Sequence, residues 1–233
     1  MDKRFPIYDI DPVVYFGDEF RGAKAVVNER IPVRASVVRE GHDALGVQVI
    51  LSNPQGEEVQ RYLMREIWPG LDRFEGYVKP TGIGNWKFHI EAFDDPFHTW
   101  EHDCGIKIRA GIDEELCCAM GVEVFNYALD SNRNTLEGKE RKELERVIKI
   151  LSDKNTNALS RFEFATSAEI KEIFHRNPTR RHIGNSLKYQ LYVERERALF
   201  GSWYEFFPRS EGAIKNKDGS ITSGNFKTAI KAL

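Results

Sequence analysis

His98 and His102 have the spacing most suggestive of a metal site in this 233-residue sequence, and Asp103 stands beside them. Histidines at positions i and i+4 share one face of a helix, which is how several zinc sites obtain two of their ligands. Zinc takes three or four protein ligands, and the sequence offers no evident third one. The surrounding residues favour an extended backbone, in which the two rings lie further apart. We therefore interpret both histidines as structural and predict no metal site.

A second group with possible chemistry is a cluster of cations after residue 170. Such a cluster could bind phosphate or RNA. Positive side chains at the carboxyl end of a helix also interact favourably with the helix dipole. Lys and Arg number 34 against 36 Asp and Glu, so the formal net charge is −2 and gives no general attraction to nucleic acid or anionic membranes. We predict neither partner. The cations are Lys171, Arg176, Arg180, Arg181 and His182.

Exposed aromatic side chains are the usual stacking partners of sugar rings, which makes the tryptophans the candidate carbohydrate contacts. Trp86 has the same parity as Phe88 and Ile90, and it is therefore predicted to lie in a core. Trp68, followed directly by Pro69, is the best candidate for an exposed platform and a substrate contact. Because extended glucan sites use several such contacts, sugar binding by this chain alone is predicted to be weak or absent.

The first half of the chain alternates apolar and other residues with period two, as half-buried strands do. Turn signals at residues 53–56 and 80–82 separate the runs, and the glycines of residues 81–86 indicate a hairpin, not a phosphate loop, since no helix follows. Strands in series without helices predict an antiparallel β-sandwich over residues 1–111, with an immunoglobulin-like arrangement as the leading hypothesis. The runs are Val33, Ala35 and Val37; Val47, Val49 and Leu51; Val59, Leu63 and Ile67; and Trp86, Phe88, Ile90 and Ala92.

From Asp113 onward the apolar period becomes that of helices. Asp113 is predicted to cap the first helix. The third is predicted to begin at Thr166, whose spacing to Glu169 suits a capping box. Together with a clear second helix these predict a three-helix bundle over residues 112–186. The predicted apolar faces are Leu116, Met120, Val124 and either Tyr127 or Ala128; Leu144, Val147, Ile148 and Leu151; and Ile170, Ile173 and Phe174.

The last part of the chain predicts a return to strands. Strand character at residues 190–193 would make the helical bundle an insertion into the sandwich, with residues 187–200 as return strand and linker. Residues 202–207 are rich in aromatics and closed by Pro208, which predicts a buried strand. Helical spacing begins near Asn225. Residues 201–233 are therefore predicted to be the first strand and the start of the first helix of a β/α unit, with the chain ending inside that domain.

The cysteines and the amino-terminal residues indicate the cellular compartment of the protein. The three cysteines, Cys104, Cys117 and Cys118, cannot all pair and have no CxxC spacing, so neither a disulfide framework nor a zinc site is predicted. No apolar signal core follows residues 1–4, and no stretch is long and apolar enough to span a bilayer. These features predict a cytoplasmic protein.

Several segments carry a resemblance to a known family: RFPIYDIDPVVYFG at residues 4–17, the stretches at 23–45 and 69–96, HTWEHDCGIKIRAG at residues 98–111, the aromatic strand after residue 200, and GNFKTAIKAL at residues 224–233. They resemble the amino-terminal region of the α-1,4-glucan:maltose-1-phosphate maltosyltransferases, which are enzymes of the α-amylase superfamily. The resemblance covers most of the chain and is weaker at residues 126–183. It implies a homodimer without metal or organic cofactor that takes α-maltose 1-phosphate as donor and α-1,4-glucan as acceptor. It also implies a sandwich followed by a (β/α)8 barrel that is truncated in this chain.

The resemblance also implies where the catalytic residues lie. Retaining glycosyl transfer uses a carboxylate nucleophile and a carboxylic acid about 5 Å apart, which the family places at the ends of later barrel strands. We therefore predict no catalytic residue in this chain and no activity of the chain alone. Glu205 and Arg209 are candidate glucan contacts, but we favour an intrastrand or interdomain ion pair for them. The chain's own role would be architectural and in dimerisation. The rival hypothesis is a stand-alone carbohydrate-binding or structural dimerisation module.

Overall fold

The computed structural model of the chain describes residues 4–201, 203 and 205–231. It contains two compact units, Met1–Arg195 and Glu196–Leu233. Strands dominate the first half of the chain, helices follow, and the described residues form several sheets, none of them closed into a barrel. The predicted mainly β class with inserted helices is confirmed at this level. Within the described ranges, no helix combines the length and the apolar character needed to cross a membrane.

The first unit opens with strands in series. In chain order they are β1 (Ile7–Asp11), β2 (Val14–Phe16), β3 (Glu19–Arg21), β4 (Ala23–Val26), β5 (Ile31–Val37), β6 (Leu45–Ser52), β7 (Glu58–Leu63), β8 (Arg65–Trp68), β9 (Arg73–Val78) and β10 (Gly84–Asp94). After the helices come β11 (Arg181–Asn185) and β12 (Tyr189–Glu194).

These strands make two main sheets. One has the order β1-β5-β9-β8, and the larger has the order β4-β12-β10-β6-β7 with β11 also paired to β10. Strand pairs are antiparallel except β4 with β12, which run parallel. The alternating residues predicted from the sequence face a shared apolar core: Val33 and Ala35 of one sheet and Phe88 and Ile90 of the other are fully buried there. Period two therefore identified the core faces correctly.

Two connections differ from prediction because the chain crosses between sheets. The run containing Val59, Leu63 and Ile67 is not one strand: β7 belongs to the larger sheet and β8 to the smaller. Met64 lies at the crossing, and its backbone N–H donates to the carbonyl of Val47 over 2.8 Å. Residues 81–86 likewise do not form a hairpin, because β9 and β10 lie in different sheets. Sequence spacing alone cannot distinguish a hairpin from such a crossing.

A helical segment is inserted between β10 and β11. It consists of α1 (Pro96–Arg109), α2 (Glu114–Ser131), α3 (Gly138–Leu151), α4 (Ala158–Ala165) and α5 (Ala168–Arg176). Both β11 and β12 pair with β10, so the chain leaves and rejoins the same region of the larger sheet. The predicted return strand at residues 190–193 is confirmed within β12. The helices have an apolar core of their own, in which Phe97 and Phe174 stack with ring centroids 3.8 Å apart.

The helices begin at Pro96 and not near residue 112. The prediction of extended backbone around His98 and His102 is therefore wrong. Asp95 caps α1 by accepting a 3.1 Å hydrogen bond from the His98 backbone N–H, and Pro96 stands at the first turn, where its missing N–H costs nothing. Burial of one helical face outweighs the weak helix propensity of its aromatic and β-branched residues. That face carries Phe97, Trp100, Cys104 and Ile108.

The buried face of α2 is displaced by one residue from the predicted one. Leu116 and Met120 are exposed, whereas Cys117 and Phe125 are buried. Gly121 explains the choice of face: a Cβ there would lie 2.5 Å from Trp100 Cζ2, so only glycine lets α1 and α2 approach this closely. Asp113 does occupy the cap position of α2, but its side chain accepts no capping hydrogen bond.

The predicted third helix is confirmed as α5, which buries Ile170, Ile173 and Phe174, and the short helix α4 before it was not predicted. Thr166 ends α4, with its Oγ1 donating to the Phe162 carbonyl over 2.9 Å, and Ser167 is the cap residue of α5. The predicted capping box of Thr166 with Glu169 is therefore wrong. The second predicted helix is confirmed as α3, whose buried residues include Leu144, Val147 and Leu151.

The second unit contains a 3-10 turn (Glu196–Leu199), the short strands β13 (Ile214–Lys215) and β14 (Ile221–Thr222), and α6 (Phe226–Ala229). Asn225 caps α6 by accepting from the backbone N–H groups of Lys227 and Thr228, as the predicted helix start requires. Trp203 and residues 205–207, the described part of the predicted buried strand, belong to no strand, and Trp203 is 100% exposed. The predicted burial is wrong for them, since a buried strand needs partner strands on both edges.

Candidate functional site

Asp94 organises the base of the helical insertion. Its buried carboxylate accepts a 2.7 Å hydrogen bond from Arg4 Nη2, and His182 Nδ1 lies 2.8 Å from the same oxygen, Oδ2. Arg39 Nε faces the other oxygen at 3.1 Å without hydrogen-bond alignment. Arg39 also pairs with Asp43. The end of β10 is thereby fastened to the amino-terminal segment, to the loop after β5 and to the start of β11.

Glu91 fastens the exit of the insertion in the same way. It is buried on β10, and Arg180 Nη1 donates to its Oε1 over 2.9 Å. Gln48 Nε2 donates to the same carboxylate oxygen. Charge-assisted hydrogen bonds of this kind fix the position of a buried carboxylate. Glu91 and Asp94 therefore both have a structural role.

The predicted cation cluster is engaged inside the first unit. Lys171 Nζ lies 2.5 Å from Glu101 Oε1, and Arg176 Nη2 lies 3.2 Å from Glu140 Oε1. The guanidinium of Arg181 lies 4.6 Å from the centre of the Tyr127 ring. With Arg180 and His182 bound to carboxylates as described, these charges support the structural interpretation over phosphate or RNA binding.

A cavity of about 260 Å³ lies where α1 and α2 meet the end of β10. Trp100, Met120 and Val124 form its apolar wall, and Asp94 and Asp103 lie on its polar side. Ligand pockets for drug-sized molecules measure about 300–1,000 Å³, so this cavity is too small for a glucan chain.

The two candidate zinc ligands point from the same face of α1 and are each bound by a neighbouring carboxylate. His98 Nδ1 lies 2.7 Å from Asp95 Oδ2, and His102 Nδ1 lies 2.9 Å from Asp103 Oδ1. The hydrogen bond to Asp95 raises the pKa of His98 against the opposing effect of burial. Across the described ranges, no group of three His, Cys, Asp or Glu residues could hold a metal ion.

All three cysteines are free and buried. Burial raises the pKa of Cys104 to about 12 and also raises the pKa of Cys118. Because the thiolate is the reactive form, neither Cys104 nor Cys118 has the environment of a catalytic nucleophile.

Trp68 is the one predicted site residue that the first unit contains. It ends β8 and is 59% exposed, so its predicted exposure is confirmed, and its contact with substrate stays a prediction. The turn after it is closed by Glu66 Oε1, which accepts from the Gly70 backbone N–H over 2.8 Å. An exposed indole held at a strand end offers a flat apolar face.

Glu205 and Arg209 both belong to the second unit and are exposed. Glu205 lines an open cavity of about 640 Å³ together with Trp203, Phe206 and Phe226. Arg209 does not line it, and its carbonyl accepts a 2.8 Å hydrogen bond from the Gly224 N–H. Within the described part of this unit neither side chain forms an ion pair, so the predicted intrastrand pair is not present.

One family sequence model matches nearly the whole of the first unit. The model described as alpha-1,4-glucan:maltose-1-phosphate maltosyltransferase, domain N/S, matches residues 3–195. The chain belongs to the α-1,4-glucan:maltose-1-phosphate maltosyltransferase family. The sandwich and its helical insertion together are thus the part of the chain that the family model describes.

Curated members of the maltosyltransferase family match almost the whole chain. The α-1,4-glucan:maltose-1-phosphate maltosyltransferase 1 of Streptomyces coelicolor is 40% identical over 231 residues, which is 99% of this chain and 33% of the relative. The enzyme of Arcanobacterium haemolyticum is 35% identical over 232 residues, again 99% of this chain and 33% of the relative. The chain therefore spans about one third of the length of the curated maltosyltransferases it matches.

Sequence reasoning missed one exposed aromatic surface, the β2–β3 hairpin. Phe16 lies on β2 and is exposed. The signal was present: Gly17 and Asp18 form a two-residue turn between segments that pair with each other. The strands have only three residues each, too few for periodicity to identify.

Proposed function

We propose that this chain is the amino-terminal, architectural part of a retaining maltosyltransferase of the α-amylase superfamily. The parent enzyme moves maltosyl units from α-maltose 1-phosphate to the non-reducing ends of α-1,4-glucans. One observation carries the proposal: the family's domain N/S model matches residues 3–195 of a chain that spans 33% of its relative. The buried carboxylates of that region, Asp94 and Glu91, support a non-catalytic role, because both are held by cationic side chains.

Within this proposal the sandwich is immunoglobulin-like and the second unit is the first β/α unit of the catalytic barrel. The capped start of α6 supports a helix at the expected place. The exposed apolar side chains of the unit, among them Trp203, Phe207, Phe226 and Ile230, support a surface that further strands and helices of a barrel cover.

The same proposal includes a cytoplasmic homodimer that needs no metal or organic cofactor. Exposed Leu116 and Met120 on the outer face of α2 support a protein contact on the helical insertion. Trp68, Glu205 and Arg209 are the proposed glucan contacts of this chain. Trp68 is supported by its exposed indole, and Glu205 by its place beside the aromatic residues of the open cavity.

A chimeric enzyme tests the proposal. The chain replaces the matching third of the Streptomyces coelicolor enzyme, and transfer of radiolabelled maltosyl units from α-maltose 1-phosphate to maltohexaose is measured. We expect the chimera to be soluble and active, the remaining two thirds alone to be inactive, and the chain alone to show no transfer. A matched chimera with Asp94→Asn should lose soluble yield before it loses turnover per folded molecule, since Asp94 fastens the fold.

The rival hypothesis predicts different results. A stand-alone carbohydrate-binding or dimerisation module would leave the remaining two thirds of the relative active without it. Transfer by the purified chain alone, abolished by changing one of its own acidic residues, would also overturn the architectural role.

A further inference from the structure

The histidine pair of α1 has a geometry that the sequence did not predict. Residues 98–102 read HTWEH and lie entirely within α1, so His98 and His102 are about one helical turn apart on the same face. The order H-x-x-E-H is one in which a family of zinc enzymes carries two of its metal ligands. The prediction of no metal site rested in part on an extended backbone, and the helix removes that part of the reasoning.

Each imidazole is held at one ring nitrogen by a carboxylate. Asp95 Oδ2 lies 2.7 Å from His98 Nδ1, while Oδ1 of the same carboxylate accepts from the backbone N–H and caps the helix. Asp103 Oδ1 lies 2.9 Å from His102 Nδ1. Because an ionised carboxylate only accepts hydrogen bonds, the proton of each neutral ring lies on Nδ1 and the lone pair on Nε2. A carboxylate behind the imidazole is also the arrangement that orients metal-binding histidines and makes them more basic.

Both rings line one open groove of about 420 Å³. They are accessible in it, since 45% of the His98 side chain and 73% of the His102 side chain are exposed. Glu101 lines the same groove, and its Oε1 lies 2.5 Å from Lys171 Nζ. Among the residues that the structure describes, no third His, Cys, Asp or Glu completes a metal-binding group with this pair. The pair therefore offers two nitrogen ligands and leaves the other coordination positions of a metal to water.

We propose that His98 and His102 form a binding site for a divalent late transition metal ion, Zn²⁺, Ni²⁺ or Cu²⁺, with Nε2 of each ring as ligand. Imidazole nitrogen suits these ions, whereas Mg²⁺ and Ca²⁺ take oxygen ligands. Catalytic zinc sites have three protein ligands, and Glu101, at the place of the glutamate in the H-x-x-E-H order, is held by Lys171. The site therefore binds a metal without hydrolytic chemistry. It is independent of the maltosyl transfer proposed above, which needs no metal.

Calorimetric titration of the untagged full chain with Zn²⁺ tests the site. We expect one ion per chain with a dissociation constant in the tens of micromolar. His98→Gln and His102→Gln should each weaken Zn²⁺ binding by about tenfold or more, because one imidazole alone remains. Asp103→Asn should weaken it by about tenfold, the usual effect of removing a carboxylate behind a metal ligand. The matched control is His175→Gln, which removes an exposed histidine of α5 and should leave the affinity unchanged.

Two further measurements do not depend on the variants. Zn²⁺ at tenfold excess over its dissociation constant should raise the melting temperature of the chain by about 3 °C, because the pair of rings exists only in the folded state. Pulsed electron paramagnetic resonance with one equivalent of Cu²⁺, which should bind more tightly than Zn²⁺, should show two coordinated imidazole rings.

Four outcomes overturn the site. The first is unchanged Zn²⁺ affinity in His98→Gln or in His102→Gln, and the second is a Cu²⁺ spectrum with fewer than two imidazoles. The third is equal weakening by His175→Gln and His102→Gln, and the fourth is Mg²⁺ binding as tight as that of Zn²⁺, which would mark a general effect of surface charge. Circular dichroism of each variant without metal shows whether it is folded. If His98→Gln is not folded, the Cu²⁺ spectrum of the unchanged chain decides.

Discussion

His182 and Asp94 meet at the base of the helical insertion, with His182 Nδ1 2.8 Å from Asp94 Oδ2. His182 adopts a left-handed backbone conformation, φ 53°, at the second position of β11. Such a conformation is uncommon for a residue other than glycine and needs support from its surroundings. The contact with Asp94 provides it, and Arg4 and Arg39 approach the same carboxylate.

Asp94→Asn should destabilise the first unit by about 3 kcal/mol, because removing one partner of a buried ion pair leaves the others uncompensated. Arg39 accounts for most of this loss of stability, because only 6% of its side chain is accessible and its buried charge would then face a neutral amide. The measurement is urea unfolding followed by circular dichroism. Asp130→Asn, at an exposed position of α2, is the control. If Asp94→Asn lowers the free energy of unfolding no more than Asp130→Asn does, Asp94 does not stabilise the first unit as stated.

His98 should make the helical insertion less stable as the pH rises. The hydrogen bond to Asp95 raises the pKa of His98 above its ordinary 6.5, so the folded state holds the proton more tightly than the unfolded state. This stabilisation is fully present below the unfolded pKa and is lost as the pH rises through the higher folded pKa. Because His98 is partly exposed, the effect is modest. The melting temperature should fall as the pH rises above 6.5. In His98→Gln this dependence on pH should be weaker.

His89 should have the opposite effect. Burial lowers its pKa below the ordinary 6.5, so the unfolded state binds the proton more readily. Stability is then present above the unfolded pKa and is lost as the pH falls towards the lower folded pKa. His89→Gln should reduce the acid-side loss in the same melting series. If His89→Gln loses as much stability at acid pH as the unchanged chain, His89 is not shielded from water.

The cysteines should be inert in the folded chain. Burial raises the pKa of Cys104 to about 12, and thiols react as thiolates. A chromogenic disulfide reagent should therefore label none of the three at neutral pH until denaturant unfolds the helical insertion. A surface variant such as Ser152→Cys serves as a positive control for labelling. Rapid labelling of Cys104 without denaturant would contradict its burial.

Gly121→Ala should destabilise the chain although alanine is the better helix former by about 1 kcal/mol. The new Cβ would lie 2.5 Å from Trp100 Cζ2, and overpacking of this kind costs about 1–3 kcal/mol. Gly138→Ala is the matched control, because nothing lies within 4 Å of its Cβ position in α3. We expect the control to be neutral or stabilising in urea unfolding. A stabilising Gly121→Ala would refute the close approach of α1 and α2.

The sequence by itself determined the features that repeat locally. Val33, Ala35 and Val37 alternate because successive strand residues face opposite sides of a sheet. Leu144, Val147 and Leu151 recur at helical spacing, and they lie buried on α3 as predicted. The segments that resemble the maltosyltransferases also lie in the chain itself, and the family match agrees with them.

Only the tertiary structure decided which of the two apolar faces of α2 is buried. Leu116 and Met120 form as good an apolar stripe as Cys117 and Phe125, and the closeness of Trp100 to Gly121 selected the second. Arg4 binds Asp94 across 90 residues of sequence, a contact without any local pattern. Periodicity reports which side of an element is apolar, whereas partners distant in sequence depend on how the elements pack. The cluster around Asp94 therefore emerged only from the folded chain.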